Sequence, residues 1–468
     1  MQTTRIRKLC NLHHIWLFAL SFVCAISSLS TAGLPELRIS DNGRFLVTEE
    51  DTPFFWLGDT AWSLFMQTTR EEAGYYLKDR AGKGFTVIQA VILWGSVNAK
   101  NRYGNPPFIG GDPDKPNEAY FRYIDSVVNQ AAVLGLYTGL LPVWAGSHIR
   151  PKQALFNLTN TDKTRRYGRF LGKRYRDQPV IWILGGDWPG AGLEPIFRAL
   201  ARGLAEGDGG KHLMTYHPRG GGASSTWFHD DAWLDFNMVQ SGHSFENRNY
   251  EMIARDYKRH PVKPVVDGEP GYEDHPSRFD PKYGWLSARD VRRFAYCAVF
   301  AGAAGHTYGC HDIWQFWQPD RKPITYARTP WKKALQLPGA EQMQHLRRLV
   351  ESRPMLIRVP DQSLIEGNAM RTTDRVQATR GTDGSYAFVY IASGKPVTIH
   401  TDKLSGGMIK AYWFDPRKGT SQVIETFARA KRRQFTPPSS GKGNDWVLVL
   451  EDAAKGFVLP GTQAIHEK

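Results

Sequence analysis

Residues 180–190 read Val-Ile-Trp-Ile-Leu-Gly-Gly-Asp-Trp-Pro-Gly, an apolar run that ends at two glycines and an aspartate. A short apolar run bounded by glycine is typical of a buried strand, and the amphipathic stretch 193–205 that follows it predicts a helix. A buried strand followed at once by a helix is the repeating unit of parallel α/β folds. The question is whether this unit recurs along the chain.

The unit recurs eight times before residue 354. Each predicted strand is followed by a helix or a long loop, which favours a (β/α)8 barrel, an α/β fold, over an open sheet. Thr69 precedes Glu72 by three positions, a capping pattern that predicts where the first helix begins. Strands are predicted at residues 53–57, 85–93, 137–143, 180–184, 213–217, 236–239, 264–266 and 305–309, and further helices at residues 119–134, 162–175, 193–205, 250–258, 288–300 and 340–351.

The pattern changes after Arg353 and Pro354. Short alternating runs, separated by Gly, Asp, Lys and Ser, replace the strand-and-helix unit and predict an all-β sandwich. They lie at residues 363–365, 375–379, 386–391, 397–400, 409–414, 422–426 and 446–450. We therefore expect a (β/α)8 barrel, the fold of many catalytic domains, over residues 33–354 and a C-terminal β-sandwich domain over residues 355–468.

The first 32 residues resemble a secretory signal peptide. Arg5, Arg7 and Lys8 precede an apolar segment, residues 15–26, which is far shorter than the ~20 residues of a membrane span. Small residues at 30–32 offer a cleavage site before Gly33. The expectation is a secreted or periplasmic protein that has no membrane span.

Charge and cysteine content narrow the choice of partners. Removal of the predicted signal lowers the formal net charge from +14 to +11, and the positive residues are scattered rather than gathered on one face as in nucleic-acid-binding proteins. Such a surface suits an acidic polysaccharide, and it suits an ordinary solvated surface equally well. Cys297 and Cys310 could pair, although two separate buried thiols are commoner, and neither has metal-ligand spacing. We predict no metal and no cofactor.

Two acidic residues follow predicted strands at the end of the barrel where active sites are built. Asp187 comes directly after the fourth strand, where the alternative is a helix N-cap. Glu269 follows the seventh strand in the run Asp267-Gly268-Glu269-Pro270, and Asp267 is expected to point the same way, deeper in the barrel, or to form a structural salt bridge. One carboxylic acid and one carboxylate facing each other are what glycosidic-bond hydrolysis requires, so Asp187 is the predicted acid/base and Glu269 the predicted nucleophile.

Aromatic and hydrogen-bonding residues cluster near the other strand ends. Any one of them is commonly a packing residue, but the whole set is typical of a carbohydrate cleft, in which aromatic faces stack on sugar rings. The predicted substrate-binding residues are Asp59, Trp94, Trp144, Trp188, His217, Gln240, His243, Trp314 and Trp317.

Four short motifs, in this order and spacing, resemble the apiosidase-like glycoside hydrolases of family 140. The motifs are Gly58-Asp59-Thr60-Ala61-Trp62, Gly186-Asp187, Asp267-Gly268-Glu269 and the run Ala-Tyr-Trp-Phe-Asp-Pro at 411–416. The resemblance implies a barrel with the acid/base on strand four, here an aspartate, and the nucleophile on strand seven. It also implies retaining hydrolysis of β-D-apiosyl bonds in branched pectin side chains, such as those of rhamnogalacturonan II.

Two other classes of function remain open from the sequence. A non-catalytic carbohydrate-binding or adhesion protein could keep the barrel, although the presence of both Asp187 and Glu269 argues against it. A metal-dependent hydrolase could use Asp59, His217, His243 and His306, but these residues lack paired metal-ligand spacing.

Overall fold

Eight parallel strands form the framework of the protein, whose computed structural model describes residues 33–96, 98–149, 155–367 and 372–462. The predicted signal peptide, residues 1–32, lies outside the described residues. Across the described ranges, no helix combines the length and the apolar character needed to cross a membrane.

The strands close into a barrel. In the sheet they run in the order β5-β4-β3-β2-β1-β8-β7-β6, and β8 pairs in parallel with β1. A backbone hydrogen bond of 2.9 Å from Asp235 N–H to the Met214 carbonyl joins the remaining edges, β5 and β6. The predicted (β/α)8 fold is confirmed, and its strands are β1 Trp56–Thr60, β2 Val87–Val91, β3 Tyr137–Leu141, β4 Val180–Gly185, β5 Met214–His217, β6 Asn237–Gln240, β7 Val265–Glu269 and β8 Gly305–Tyr308.

Helices surround the barrel. Thr69 and Glu72 form the predicted capping box at the start of the first helix, since each side chain accepts a hydrogen bond from the other's backbone N–H. The longer helices are α1 Arg70–Gly82, α2 Glu118–Val133, α3 Thr161–Tyr175, α4 Glu194–Asp208, α5 Asn249–Tyr257, α6 Ala288–Phe300 and α7 Pro338–Glu351; four-residue helices occupy Leu64–Gln67, Ala145–His148, Ser225–Phe228, His311–Trp314 and Trp331–Ala334.

The first barrel strand lies three residues later than predicted. Pro53–Phe54 instead forms the edge of a small antiparallel sheet with Leu37–Ile39 and Leu46–Thr48, where a proline costs no ladder hydrogen bond. The Phe54 ring contacts Tyr137 at the start of β3, with centroids 5.1 Å apart. This sheet therefore lies at the end of the barrel opposite to the strand C-termini.

The C-terminal region is all β, as predicted. Six antiparallel strands follow the order β9-β10-β11-β16-β13-β14, and β12 pairs with β15. The predicted strand at 363–365 is instead a 3₁₀ turn, Gln362–Leu364, fixed by the Asp361 side chain that accepts from Ser363 N–H. The strands are β9 Arg358–Pro360, β10 Val376–Gly381, β11 Tyr386–Ile391, β12 Val397–Ile399, β13 Met408–Asp415, β14 Thr420–Ala428, β15 Arg433–Phe435 and β16 Trp446–Asp452.

Helix α6 joins the barrel to this β region. Arg292 forms a bidentate ion pair with Asp445, at 2.7 and 3.0 Å, and both side chains are buried. The ring of Tyr296 stacks on that of Tyr390 with centroids 4.9 Å apart. The barrel thus packs directly on the sandwich, and the predicted domain boundary at residues 354 and 355 stays a prediction.

Candidate active site

Asp187 and Glu269 line the same cavity, at the C-terminal ends of β4 and β7. The cavity has a volume of about 590 Å³, which lies in the usual range for small-molecule sites. The strand ends that carry the two residues therefore converge on one space of the size that a sugar residue and its neighbour need.

A sharp turn after β4 directs Asp187 into this cavity. Gly185, Gly186 and Asp187 all have positive φ angles, of 95°, 104° and 51°. A Cβ atom on Gly186 would lie 2.8 Å from Trp144, and one on Gly185 would lie 2.5 Å from the His217 carbonyl oxygen, so both positions require glycine. Asp187 does not cap the next helix, whose N-cap is Leu193.

A β-bulge places Glu269. The register between β7 and β6 shifts between Asp267 and Glu269, and a Cβ atom on Gly268 would lie 2.4 Å from the Met238 sulfur. Because the shift breaks the alternation of side chains, Asp267 does not point the same way as Glu269, contrary to the prediction. It accepts hydrogen bonds of 2.9 Å from Ser241 and from Asn249, which lies at the start of α5.

Two histidines hold the Glu269 carboxylate. His217 Nε2 lies 2.8 Å from Oε2, and His243 Nε2 lies 3.2 Å from Oε1. His217 Nδ1 accepts the backbone N–H of Asp187 at 3.3 Å. In a neutral imidazole the proton is then on Nε2, which faces Glu269. One buried ring therefore connects the backbone of Asp187 with the side chain of Glu269.

The surroundings move the two pKa values in opposite directions. Asp187 is exposed to the cavity, whose walls still desolvate it and raise its pKa, and the negative charge of Glu269 raises it further. Burial acts in the same direction on Glu269, but hydrogen bonds from His217 and His243 outweigh it and hold the pKa of Glu269 well below its ordinary range. Asp187 can thus keep a proton under conditions in which Glu269 is a carboxylate, as a proton donor and a nucleophile require.

Aromatic rings surround the carboxylates in a continuous series. Neighbouring centroids lie 4.9 Å apart for Trp144 and Trp94, and 5.9 Å apart for Trp94 and Trp314. The series continues through three histidines, with 6.1 Å between Trp314 and His311, 4.4 Å between His311 and His275, and 4.3 Å between His275 and His243. Flat rings with polar edges are suited to sugars, whose C–H faces stack and whose hydroxyls take hydrogen bonds.

A family model described as "Apiosidase-like, catalytic domain" matches residues 40–357. The chain belongs to the apiosidase-like family of glycoside hydrolases. A solved structure titled "Glycoside hydrolase" is 37% identical over 91% of this chain and 98% of its own, with a TM-score of 0.85. The crystal structure of a family 5 glycoside hydrolase from Bacteroides vulgatus ATCC 8482 is 36% identical over 92% and 96%, with a TM-score of 0.86. The protein is therefore a glycosidase.

The β region has a relative of its own. A family model described as "Putative collagen-binding domain of a collagenase" matches residues 359–451 of this apiosidase-like protein. No curated protein matches the chain.

Five of the predicted substrate-binding residues line the cavity of this apiosidase-like glycosidase together with the two carboxylates. They are Trp94, Trp144, Gln240, His243 and Trp314. His217 does not line it, because the ring is fully buried beneath Glu269 and acts through that carboxylate.

Three predicted residues lie elsewhere. Asp59 is fully buried and faces α1, where Arg80 Nε lies 2.6 Å from its Oδ2. Trp188 is half-buried outside the cavity, and its carbonyl accepts the hydroxyl of Tyr216. Trp317 lines an adjoining cavity of about 60 Å³, which shares Trp94 and Ile324 with the larger one, and its indole donates to the Arg321 carbonyl. The placement of Asp59 in the cleft was wrong, whereas contact of Trp188 and Trp317 with substrate stays a prediction.

Ten of the residues that line the cavity were missing from the predicted site, and Arg219, Tyr272, His275 and Phe279 are among them. Arg219 comes two residues after the end of β5, so the rule that points to strand ends could have found it. Tyr272, His275 and Phe279 belong to the long segment after β7. Tyr272 accepts a hydrogen bond of 3.1 Å from Trp62 Nε1, a contact between residues 210 positions apart that no local pattern signals.

Neither the histidines nor the cysteines form an additional centre in the described ranges. Within them, no group of three or more His, Cys, Asp or Glu side chains is arranged to hold a metal ion. His306 is buried without contact to the cavity, and burial lowers its pKa to about 3. Cys297 and Cys310 are both buried free thiols.

Proposed function

We propose that this glycosidase is a secreted, retaining enzyme that hydrolyses β-D-apiosyl bonds in pectic side chains. The observation that carries the chemistry is the pair Asp187 and Glu269, which line one cavity and have pKa values displaced in opposite directions. The raised pKa of Asp187 suits a proton donor, and the lowered pKa of Glu269 suits a nucleophile.

In the first step Glu269 attacks the anomeric carbon and the bond to the leaving oxygen breaks. Asp187 transfers its proton to that oxygen, so the alcohol leaves neutral and the sugar is esterified to Glu269. In the second step water attacks the same carbon, and the Asp187 carboxylate takes the proton of the water. Two displacements at one carbon restore the original configuration, and Glu269 is released as a carboxylate.

The site also supplies a reason for the change in the role of Asp187. The charge of Glu269 is one cause of the raised pKa of Asp187. Esterification removes that charge, so the pKa of Asp187 falls in the intermediate, after the proton has been given away. Asp187 is then a carboxylate when the second step needs a base.

Three features support the substrate assignment. The family match covers residues 40–357 and bears the name of an apiosidase-like domain. Arg219 lines the cavity, is exposed, and makes no ion pair with any residue in the described ranges, so its guanidinium is available to a uronate carboxylate next to the cleaved bond. The formal charge of +11 left after removal of the predicted signal favours an acidic glycan over long range.

Secretion is supported by the basic and apolar segments within residues 1–32. Expression of the whole chain in a bacterium, followed by fractionation and N-terminal sequencing, tests this part. A processed chain that begins near Gly33 outside the cytoplasm is expected, and an unprocessed cytoplasmic chain would contradict it.

The activity is tested by incubation with rhamnogalacturonan II oligosaccharides, with the released monosaccharide identified by mass and chromatography. Release of apiose by the unchanged protein and none by Glu269→Gln is the expected result. Release of a different sugar would show that the apiosyl assignment is wrong, while the assignment as a glycosidase would stand.

A further inference from the structure

Large apolar side chains are exposed beside the mouth of the cavity. Phe279, Tyr283, Ile324 and Tyr326 have exposed fractions between 45% and 56%, and they come from only two loops, those after β7 and β8. A single exposed aromatic residue is ordinary, but a contiguous group beside a site is typical of a binding surface. We call these four residues the aromatic shelf.

The shelf is continuous with the catalytic cavity. Phe279 and Ile324 line the cavity itself, and the Phe279 ring contacts His275 with centroids 4.8 Å apart. Tyr326 follows Thr325, which lines the cavity, and Tyr283 belongs to the same loop as Phe279. The two loops contact each other two residues after these tyrosines, where the Arg328 guanidinium lies 3.5 Å from the centroid of the Trp285 ring. The shelf therefore leads from the cleaved bond towards solvent.

The backbone under the shelf is held in an unusual conformation. Arg278, Phe279, Thr325 and Tyr326 have positive φ angles of 57°, 62°, 49° and 67°. A positive φ is unfavourable for a residue other than glycine and persists only where the surroundings enforce it, most often at functional sites. Each of the two loops thus has two consecutive residues with positive φ angles, and the second residue of each pair, Phe279 or Tyr326, presents an exposed aromatic ring.

Charge does not account for the shelf. The cations of the loop after β7 are already paired: Arg278 with Glu246 at 2.7 Å, and Lys282 with Asp280 at 2.8 Å. Arg219, at the cavity, is not paired in this way. The four side chains of the shelf are themselves uncharged, and their exposed carbon surface suits the C–H faces of sugar rings.

We propose that the aromatic shelf is a binding subsite for the part of the polysaccharide that remains after cleavage, and that Tyr283 and Tyr326 stack on sugar rings beyond the cavity. This inference rests on the proposed function for the direction of the chain, and it goes beyond it by assigning residues outside the cavity. A substrate with a single sugar occupies the cavity alone, whereas a polysaccharide also contacts the shelf.

The test compares kcat/KM on rhamnogalacturonan II with kcat/KM on 4-nitrophenyl β-D-apiofuranoside, for Tyr283→Ala, Tyr326→Ala and the double variant. The ratio of polysaccharide to aryl-glycoside activity is expected to fall about fivefold per ring, through KM, and to fall equally at low and high salt. Tyr75→Ala is the matched control, because Tyr75 is equally exposed but lies on α1 outside the cavity lining. An unchanged ratio in the double variant would overturn the proposal.

A second readout separates this proposal from the apiosyl assignment. Retardation of the Glu269→Gln chain in gels that contain rhamnogalacturonan II measures binding without turnover. If no apiose is released but the added Tyr283→Ala and Tyr326→Ala changes abolish retardation, the sugar assignment fails and the shelf is supported. If the shelf variants alter the oligomeric state in size-exclusion chromatography and leave retardation unchanged, the shelf is a contact between copies of this chain and the proposal is wrong.

Discussion

The Asp59→Ala variant separates a structural role from a binding role for a residue that a family motif places near the active site. Asp59 and Arg80 are both fully buried, with 2.6 Å between Oδ2 and Nε, and Tyr76 also donates a hydrogen bond to Asp59. Arg80 Nη2 already lacks a partner within the described ranges. Removal of Asp59 leaves the Arg80 guanidinium with Asp79 as its remaining carboxylate, 2.6 Å from Nη1, and Asp79 also pairs with Lys83.

The expected cost follows from this burial. Removing one partner of a buried ion pair typically destabilises a protein by about 3–5 kcal/mol, and because Asp79 stays beside Arg80 the cost here should lie near the lower end. At roughly 2–4 °C per kcal/mol, the melting temperature should fall by about 10 °C. Because Asp59 faces α1 and not the cavity, the folded fraction should keep its KM for an aryl glycoside. Differential scanning calorimetry and steady-state kinetics at 20 °C measure the two quantities.

Two controls sharpen this prediction. Joint replacement, Asp59→Leu with Arg80→Met, removes both charges and should recover most of the lost stability. Glu366→Ala breaks an exposed ion pair with Arg432 and should change the melting temperature little. A normal melting temperature together with a raised KM in Asp59→Ala would refute the structural reading and return Asp59 to the substrate site.

Three further outcomes are expected. On an aryl glycoside with an acidic phenol, the fall in kcat/KM at alkaline pH should disappear in Asp187→Ala. The raised pKa belongs to the proton donor, so the unchanged protein loses activity as the pH rises through that pKa; a fall that persists in the variant would assign it to another group. Replacing His217 by Phe should lower kcat by about 10²-fold, read from steady-state kinetics, since it removes a donor to Glu269; a change confined to KM would contradict this. Arg219→Gln should raise KM for an acidic oligosaccharide about tenfold and flatten its salt dependence, whereas equal effects on a neutral aryl glycoside would exclude carboxylate recognition.

The sequence predicted the strand ends better than the directions of side chains. Apolar runs located all eight barrel strands, and an acid after a strand pointed to Asp187 and Glu269. The prediction for Asp59 failed because the first strand was placed three residues too early. In the structure Asp59 is inside β1, where Trp56 donates to Thr307 on the neighbouring strand β8. Asp59 is three residues after Trp56, so its side chain lies on the opposite face of the sheet.

The long loops were beyond sequence reasoning for a different reason. Phe279 lies near His275 because the chain turns through positive φ angles at Arg278 and Phe279, two residue types that carry no turn signal. The bulge that separates Asp267 from Glu269 was likewise hidden, although the glycine between them is the residue that permits it. The alternation of apolar runs and amphipathic stretches along the sequence predicts the barrel. The positions of the side chains in the site depend on contacts between residues far apart in the sequence, which local patterns do not show.

The most direct test of the account is the stereochemistry of azide capture in Asp187→Ala. With an activated aryl glycoside, Glu269 should still form the glycosyl-enzyme, while hydrolysis of that intermediate is slow because the base is gone. Azide, which needs no base, should attack the intermediate and give a glycosyl azide of retained configuration, identified by NMR. A glycosyl azide of inverted configuration from this variant would contradict the account, since it would mean that Asp187 and not Glu269 is the nucleophile.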